Sequence, residues 1–483
     1  MGTPPNRMGP LVPPSASPGF VSAARGKRVY DVIILGPDIG GAVAAALLAK
    51  KGLRVLQATM VPTAVARELD GWLLPSAHPA VPPLRQLSGS MGALDELGIG
   101  QDLQRQAAAT TGAFQILSDK LRLSLPADAL RRRVELKREL GEAQGMEAEA
   151  ALDTLERMGR PWDGFLLQAP PLPARGFFER RRLEKMLPQP PELPTGLVGA
   201  ALEALAPFAA NLIGEAAPEG IAREGAGLLR APLRLWGGAA QIADLLRKKA
   251  TEHSAETALE PCANLRLDRK GVMFELGGSE IRASSVILAC GADEVAALCN
   301  GGGRTERKLA EEAALPIGQR VILAHFVVRA EGLPLALEEA ALLLGHASGP
   351  MMISSLPARK AKGDAATERL LTVAQVAAVD SLPTQEAFLK AVREALTPVL
   401  PFFDRHILVE AADLQPMLSH TILRPPVDGQ PIGLRPDSEA HERALFASDA
   451  VFPGFGLEGS ILGAKAASEK ALDLSGRKKV SAV

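Results

Sequence analysis

Tyr30 to Leu35 (YDVIIL) is a short apolar run that ends at a glycine, and it constrains the fold more than any other segment. An Ala/Leu-rich stretch follows from Ile39 to Lys50, and then Leu53 to Gln57 (LRVLQ). The parse is strand, helix, strand. The connections are short and the first strand reads as buried on both faces, which is the signature of a parallel βαβ unit.

With 483 residues, of which 47% are hydrophobic, the chain can bury a large core and is too long for one ordinary domain. The charge is nearly balanced, 54 Lys+Arg against 55 Asp+Glu, which argues against a nucleic-acid partner. Cys262, Cys290 and Cys299 form no C-x-x-C pair, so neither a disulfide framework nor a zinc site is encoded, and a cytoplasmic location is expected. No uninterrupted apolar run is long enough to span a membrane. The first 28 residues are rich in Pro, Ser and Gly, lack the apolar core of a signal peptide, and read as a flexible tail.

From about Gln86 to Pro188 the pattern is helical and charged. Arg131 to Arg133 and Arg180 to Arg182 read there as solvated helix faces interleaved with Glu. Leu197 to Ile213 is apolar on nearly all sides, so it must be buried or contact lipid, and core packing is the plainer reading. Gly237 and Gly238 open a helix through Ala250. Leu265 to Ile281 alternates as hairpin strands would, and Val286 to Ala289 is a separate buried-strand run. Arg320 to Val328, Leu342 to Leu344, Met351 to Ser354 and Arg369 to Val379 read as strands of a second domain, and Gln385 to Leu396 as a helix. Leu445 to Ala447 is a last short strand, followed by a glycine-rich loop, Pro453 to Gly459, and a closing helix.

Three of these segments match one family in order: YDVIILGPDIGGAVAAALLAKKGLRVLQA, then GGAAQIADLLRKKA with EIRASSVILACGA, then LFASDAVFPGFGLEGSILGAKAASEKAL. Together they resemble the FAD-dependent phytoene desaturase and amine oxidase superfamily of Rossmann-type oxidoreductases, over most of residues 29 to 475. The resemblance implies an α/β fold in which a Rossmann-like FAD/NAD(P)-binding domain (29–85, 225–300 and 425–475) is interleaved with an α+β substrate-type domain (86–224 and 301–424) built on a mixed or antiparallel sheet. Residues 476–483 form a tail. Arg424 to Pro436 resembles the family's lead-in to the last strand.

The flavin fingerprint is degenerate. In G-x-G-x-x-G the first glycine makes the tight turn, the second lets the backbone approach the pyrophosphate, and the third lets helix pack on strand. Gly36 and Gly41 hold the first and third places, with Gly40 beside the latter, but Asp38 holds the second. Its carboxylate could cap the following helix. At about 4 Å and an effective dielectric of about 20, it would repel one phosphate charge by roughly 4 kcal/mol, worth up to about three orders of magnitude in affinity. Gln57 stands where an acidic residue would hold the ribose, and an amide lacks the charge assistance of a carboxylate. The family's G-G-R segment is missing from Pro62 to Trp72, where Arg67 is the only substitute. By resemblance, Asp449 would hold the ribityl chain, and Gly456, Leu457, Glu458 and Gly459 form the loop whose N–H groups would meet the isoalloxazine.

Other chemistry has little support. The seven histidines show no metal or triad spacing; His325 reads as a core or pocket residue and His420 as unremarkable. No G-x-S-x-G or P-loop sequence occurs. Cys290 reads as a small core residue. No catalytic acid or base stands out. Aromatic content is only 4%, with a single Tyr, whereas amine-oxidising relatives commonly face the flavin with aromatic rings; this shifts the expectation toward the desaturase-like branch. Two readings stay open: an FAD-dependent oxidoreductase taking a hydride from an apolar small molecule, or a catalytically inactive relative with weakened or lost FAD binding that serves as a binding or scaffolding protein with a protein partner. Peripheral membrane contact is compatible with either.

Overall fold

The computed structural model describes residues 29–59, 64–83, 89–106, 113–168, 170, 172–189, 192–212, 220–230, 232–362, 367–416, 421–424 and 433–476. The N-terminal tail, the C-terminal tail after Gly476, Pro62, Gln86, Ile213, His420 and most of the Arg424 to Pro436 lead-in lie outside them.

Two sheets organise the described residues. At the centre of the first, of seven strands, lies β1 (Val29–Leu35), parallel to β2 (Val55–Thr59) on one side and to Ser279–Leu288 on the other. Glu256–Leu259 extends the sheet in parallel beyond β2. The far edge of Ser279–Leu288 is shared: its first half pairs antiparallel with Val272–Leu276, and Val286 to Leu288 pair in parallel with Ala444–Phe446. Thus Ile281 and the Val286 run, which the sequence separates, belong to one strand. The parallel core is covered on one side by α1 (Ile39–Lys50), which packs against the helices Gly238–Glu252 and Gly456–Leu474. Gly40 to Ala49 are all buried, as a helix without a polar face requires.

The second sheet, of eight strands, runs in the order Ile407–Asp413, Ile317–Val328, Arg369–Ala378, Met351–Pro357, Ala340–Leu343, Phe114–Leu117 and Arg122–Leu125, with Thr421–Leu423 also pairing on Ile317–Val328. All its pairings are antiparallel except Phe114–Leu117 with Ala340–Leu343. The first and second sheets therefore draw on alternating stretches of the chain, the interleaved α/β architecture expected. The hairpin Phe114–Leu125 is an addition to the expected pattern. It sits inside the charged stretch that reads as helical, and its strands are four residues each, too short to show a period.

The charged helices behave as their composition suggests. Arg133 pairs with Glu149 at 2.7 Å and Arg132 with Asp153 at 3.6 Å, on the outside of Ala129–Leu140. The apolar helix Gly196–Leu205 buries Val198, Ala201, Leu202 and Leu205 against Leu323 and Leu342 of the second sheet, so it is core. Among the described residues no helix is long and apolar enough to cross a membrane.

Candidate functional site

The turn from β1 into α1 lies against two neighbouring strand ends. Gly36 adopts φ +122°, and a Cβ there would collide with the Ala289 carbonyl, so only glycine makes this turn. At Gly41 a Cβ would lie 2.7 Å from the Ala289 Cβ, the close helix-on-strand packing that the third fingerprint position requires. Gly40 faces the Ala447 carbonyl just past the last parallel strand.

Asp38 occupies the N-cap of α1 with extended backbone (φ −59°, ψ 155°), yet its side chain bonds none of the first-turn N–H groups. The capping role open to it in the sequence is therefore not taken. Its half-buried carboxyl interacts electrostatically with Asp449 and Glu294. Burial, then Asp449, then Glu294 push its pKa well above the ordinary carboxylate range. Asp449 starts the turn Asp449–Val451, its carbonyl accepts from Asn211 Nδ2 at 2.9 Å, and burial lifts its carboxyl to about 6 although the Ala450 N–H holds it down. Glu294 is raised by burial as well, beside Cys290, whose thiol burial pushes up far from any reactive range. Among the described residues no group of His, Cys, Asp and Glu is arranged to hold a metal ion.

Gln57 does not stand at the strand end. β2 continues to Thr59, pairing with β1 as far as Ala58 and with Glu256–Leu259 as far as Thr59. Gln57 is only 2% exposed, and its amide nitrogen lies beneath Gly41, where a Cβ would be 3.6 Å away. The strand-end position belongs to Thr59. LRVLQ looks complete because its apolar pattern stops at Gln57; the small Ala58 and Thr59 hide the last two residues of the strand. Arg67 donates to the Ala412 carbonyl at 3.2 Å, on the second sheet.

The closing loop is held by groups that sequence reasoning missed. Gly456, Leu457, Glu458 and Gly459 form the first turn of the closing helix, whose N-cap is Phe455. Gly459 packs against the Phe452 carbonyl and Leu457 is half-buried. Glu458 is fully buried: it accepts from the Gly89 N–H at 2.7 Å and pairs with Arg223 at 2.7 Å. Arg223, itself 3% exposed, also reaches Asp163 at 2.6 Å and the Gly159 carbonyl at 3.2 Å. It belongs to a single π-helical turn, Ile221–Gly225, and its neighbour Glu224 is lifted to about 8 by burial. Beside this network Trp162 lies 5.7 Å from Phe455 and 5.5 Å edge-on from Phe165, centroid to centroid. Asn211 completes the loop by accepting from the Gly454 N–H at 2.7 Å. No spacing in the sequence links residues 163, 223 and 458.

The single Tyr, Tyr30 on the first strand, donates to Glu256 at 2.7 Å. His325 is buried on the second sheet with Nδ1 3.2 Å from Thr372 Oγ1, and burial pushes its pKa well below the usual imidazole value, with Arg67 and His78 adding to the effect.

Comparison with solved structures shows the fold. The chain has the fold of the FAD-dependent amine oxidase and desaturase superfamily. Among the similar structures are cyclohexylamine oxidase from Brevibacterium oxydans IH-35A (15% identity, TM-score 0.56, covering 92% of this chain and 99% of that one), and a putrescine oxidase variant with redesigned cofactor binding (15%, TM-score 0.54, 94% and 100%). A third is an oxidoreductase from Methanosarcina mazei (14%, TM-score 0.55, 91% and 100%). No family model and no curated protein sequence matches the chain.

Proposed function

We propose that this chain is a relative of the FAD-dependent oxidoreductases that holds FAD weakly at neutral pH and serves as a binding or scaffolding protein rather than an amine-oxidising enzyme. The observation that carries this reading is a carboxyl group, Asp38, at the N-cap of α1, where Asp449 and Glu294 also act on it electrostatically. A dinucleotide pyrophosphate at that helix N-terminus brings two negative charges, and carboxyl groups do not fit it. Because burial raises Asp38 above the ordinary carboxylate range, the mismatch is not a plain repulsion of fixed charges. A bound dianion would instead hold Asp38 and Asp449 protonated, and binding would require proton uptake.

The loop at the start of the closing helix supports the same reading. Glu458 and Phe455, in the turn that would meet an isoalloxazine, are engaged by the chain's own Arg223, Gly89 and Trp162. Thr59 at the end of β2 offers a neutral hydroxyl in place of the carboxylate that grips a ribose.

A second reading, an FAD-dependent oxidoreductase acting on an apolar substrate, is favoured by one observation: the Gly36 turn and the Gly41 contact keep the fingerprint's backbone geometry. The visible absorption spectrum of the purified protein, repeated after adding FAD and removing the excess, separates the two. A stoichiometric flavin spectrum at neutral pH would establish the second.

A further inference from the structure

The helix Gly176–Met186 (GFFERRRLEKM) contains no buried residue. Glu179, Leu183 and Met186, spaced as one helical stripe, are half-buried, and Leu183 and Met186 rest on the core cluster that includes Phe452 and Phe455. Every other position is exposed. Phe177 is 69% and Phe178 86% exposed, and their rings form an edge-to-face pair with centroids 5.7 Å apart. Large aromatic side chains this open to water call for an explanation, because isolated surface residues do not pair rings at a helix start.

The same outward face is basic. Arg181 follows Phe177 by four residues and Phe178 by three, Arg182 follows Phe178 by four, and Lys185 follows it by seven, so rings and cations lie along one side. With Arg180 the exposed face carries four cations against Glu184 alone. Glu179 is turned the other way: it accepts from the Arg175 N–H at 2.6 Å and pairs with Arg435 at 2.7 Å.

The root of the helix is fixed to the first-sheet body. Arg175 pairs with Asp437 at 3.2 Å and Glu439 at 2.6 Å, Arg435 with Asp437 at 3.2 Å, and Lys470 of the closing helix with Asp437 at 3.0 Å. The rings and cations are thus presented from a braced support.

We propose that this helix docks the protein on an anionic lipid surface, with Phe177 and Phe178 entering the headgroup–acyl boundary and Arg181, Arg182 and Lys185 meeting lipid phosphates. Apolar tips level with a cluster of cations are what an interfacial helix needs, and the cation stems extend the apolar contact while their heads stay at the phosphates. A lipid surface asks for no complementary groove, which suits side chains that stand open to solvent on a helix; an acidic protein partner would need one.

The test is co-sedimentation of the full chain with phosphatidylcholine vesicles, with and without phosphatidylserine, at low and high salt. Binding is expected to the phosphatidylserine vesicles and to weaken with salt. It should fall about tenfold or more in Phe177→Ser/Phe178→Ser and in Arg181→Gln/Arg182→Gln. All four positions are exposed, so unchanged melting temperatures will show that the variants fold. Absence of binding to phosphatidylserine vesicles, equal binding by either variant, or sedimentation without vesicles would overturn the proposal. So would a wild-type chain that ignores vesicles but captures an acidic protein through the same residues.

Discussion

The Asp449 carboxyl, at the start of the turn after the last parallel strand, acts on Asp38 at the N-cap of α1 and raises its pKa above what burial alone produces. The two residues come from opposite ends of the chain and interact electrostatically at the start of α1.

FAD affinity is therefore expected to fall as pH rises. With Asp449 titrating near 6 in the folded protein, and Asp38 also raised, Asp449 is largely neutral at pH 5 and charged at pH 8. Flavin-fluorescence titration should give a dissociation constant about tenfold or more weaker at pH 8 than at pH 5. Asp449→Asn should flatten that dependence, and a pH-independent constant in the wild type would refute the linkage.

The same shift predicts a stability change in the free protein. The folded pKa of Asp449, about 6, lies above the ordinary 3.8, so the group favours the folded state most fully below 3.8, and that contribution is lost as pH rises through 6. At pH 8 the ionised side chain destabilises by roughly 2–3 kcal/mol. Asp449→Asn should raise the melting temperature at pH 8 and do little near pH 4.

Removing Arg223 would strand a fully buried carboxylate. Arg223→Ala is expected to destabilise by about 3–5 kcal/mol, read by urea denaturation. Adding Glu458→Gln should recover much of the loss, since the amide oxygen can still accept from the Gly89 N–H while the buried charge disappears. Additive losses would mean that Arg223 acts through Asp163 and Gly159 instead.

His78 has the opposite pH signature. Burial lowers it to about 4, below the ordinary 6.5, so its contribution to stability is present above 6.5 and lost as pH falls toward 4. His78→Asn should reduce the acid sensitivity of unfolding between those values. In the wild type, NMR should find the His78 ring neutral at pH 6.

How much of this was legible in the sequence depends on chain separation. The β1–α1–β2 unit, the helix Gln385–Leu396 and four of the eight strands of the second sheet show their periods locally. The Phe114–Leu125 hairpin escapes because each strand is one short pairing surface inside a charged region. The second fingerprint position is visible as Asp38, but its partners Glu294 and Asp449 reach it only through the sheet. The end of β2 at Thr59, two residues past Gln57, shows only in the pairing with Glu256–Leu259. Arg223 and Glu458 lie 235 positions apart, and nothing short of the packed structure joins them.

The most direct test of the account is the FAD dissociation constant at neutral pH of Asp38→Gly, alone and with Thr59→Glu, against the wild type. Asp38→Gly removes the carboxyl from the mouth of α1 and restores the glycine at the second fingerprint place, and Thr59→Glu supplies an acid at the observed end of β2. The account predicts tightening of about tenfold or more for Asp38→Gly and a further gain in the double variant. A wild type that already binds FAD stoichiometrically and tightly, or variants with unchanged affinity, would contradict it.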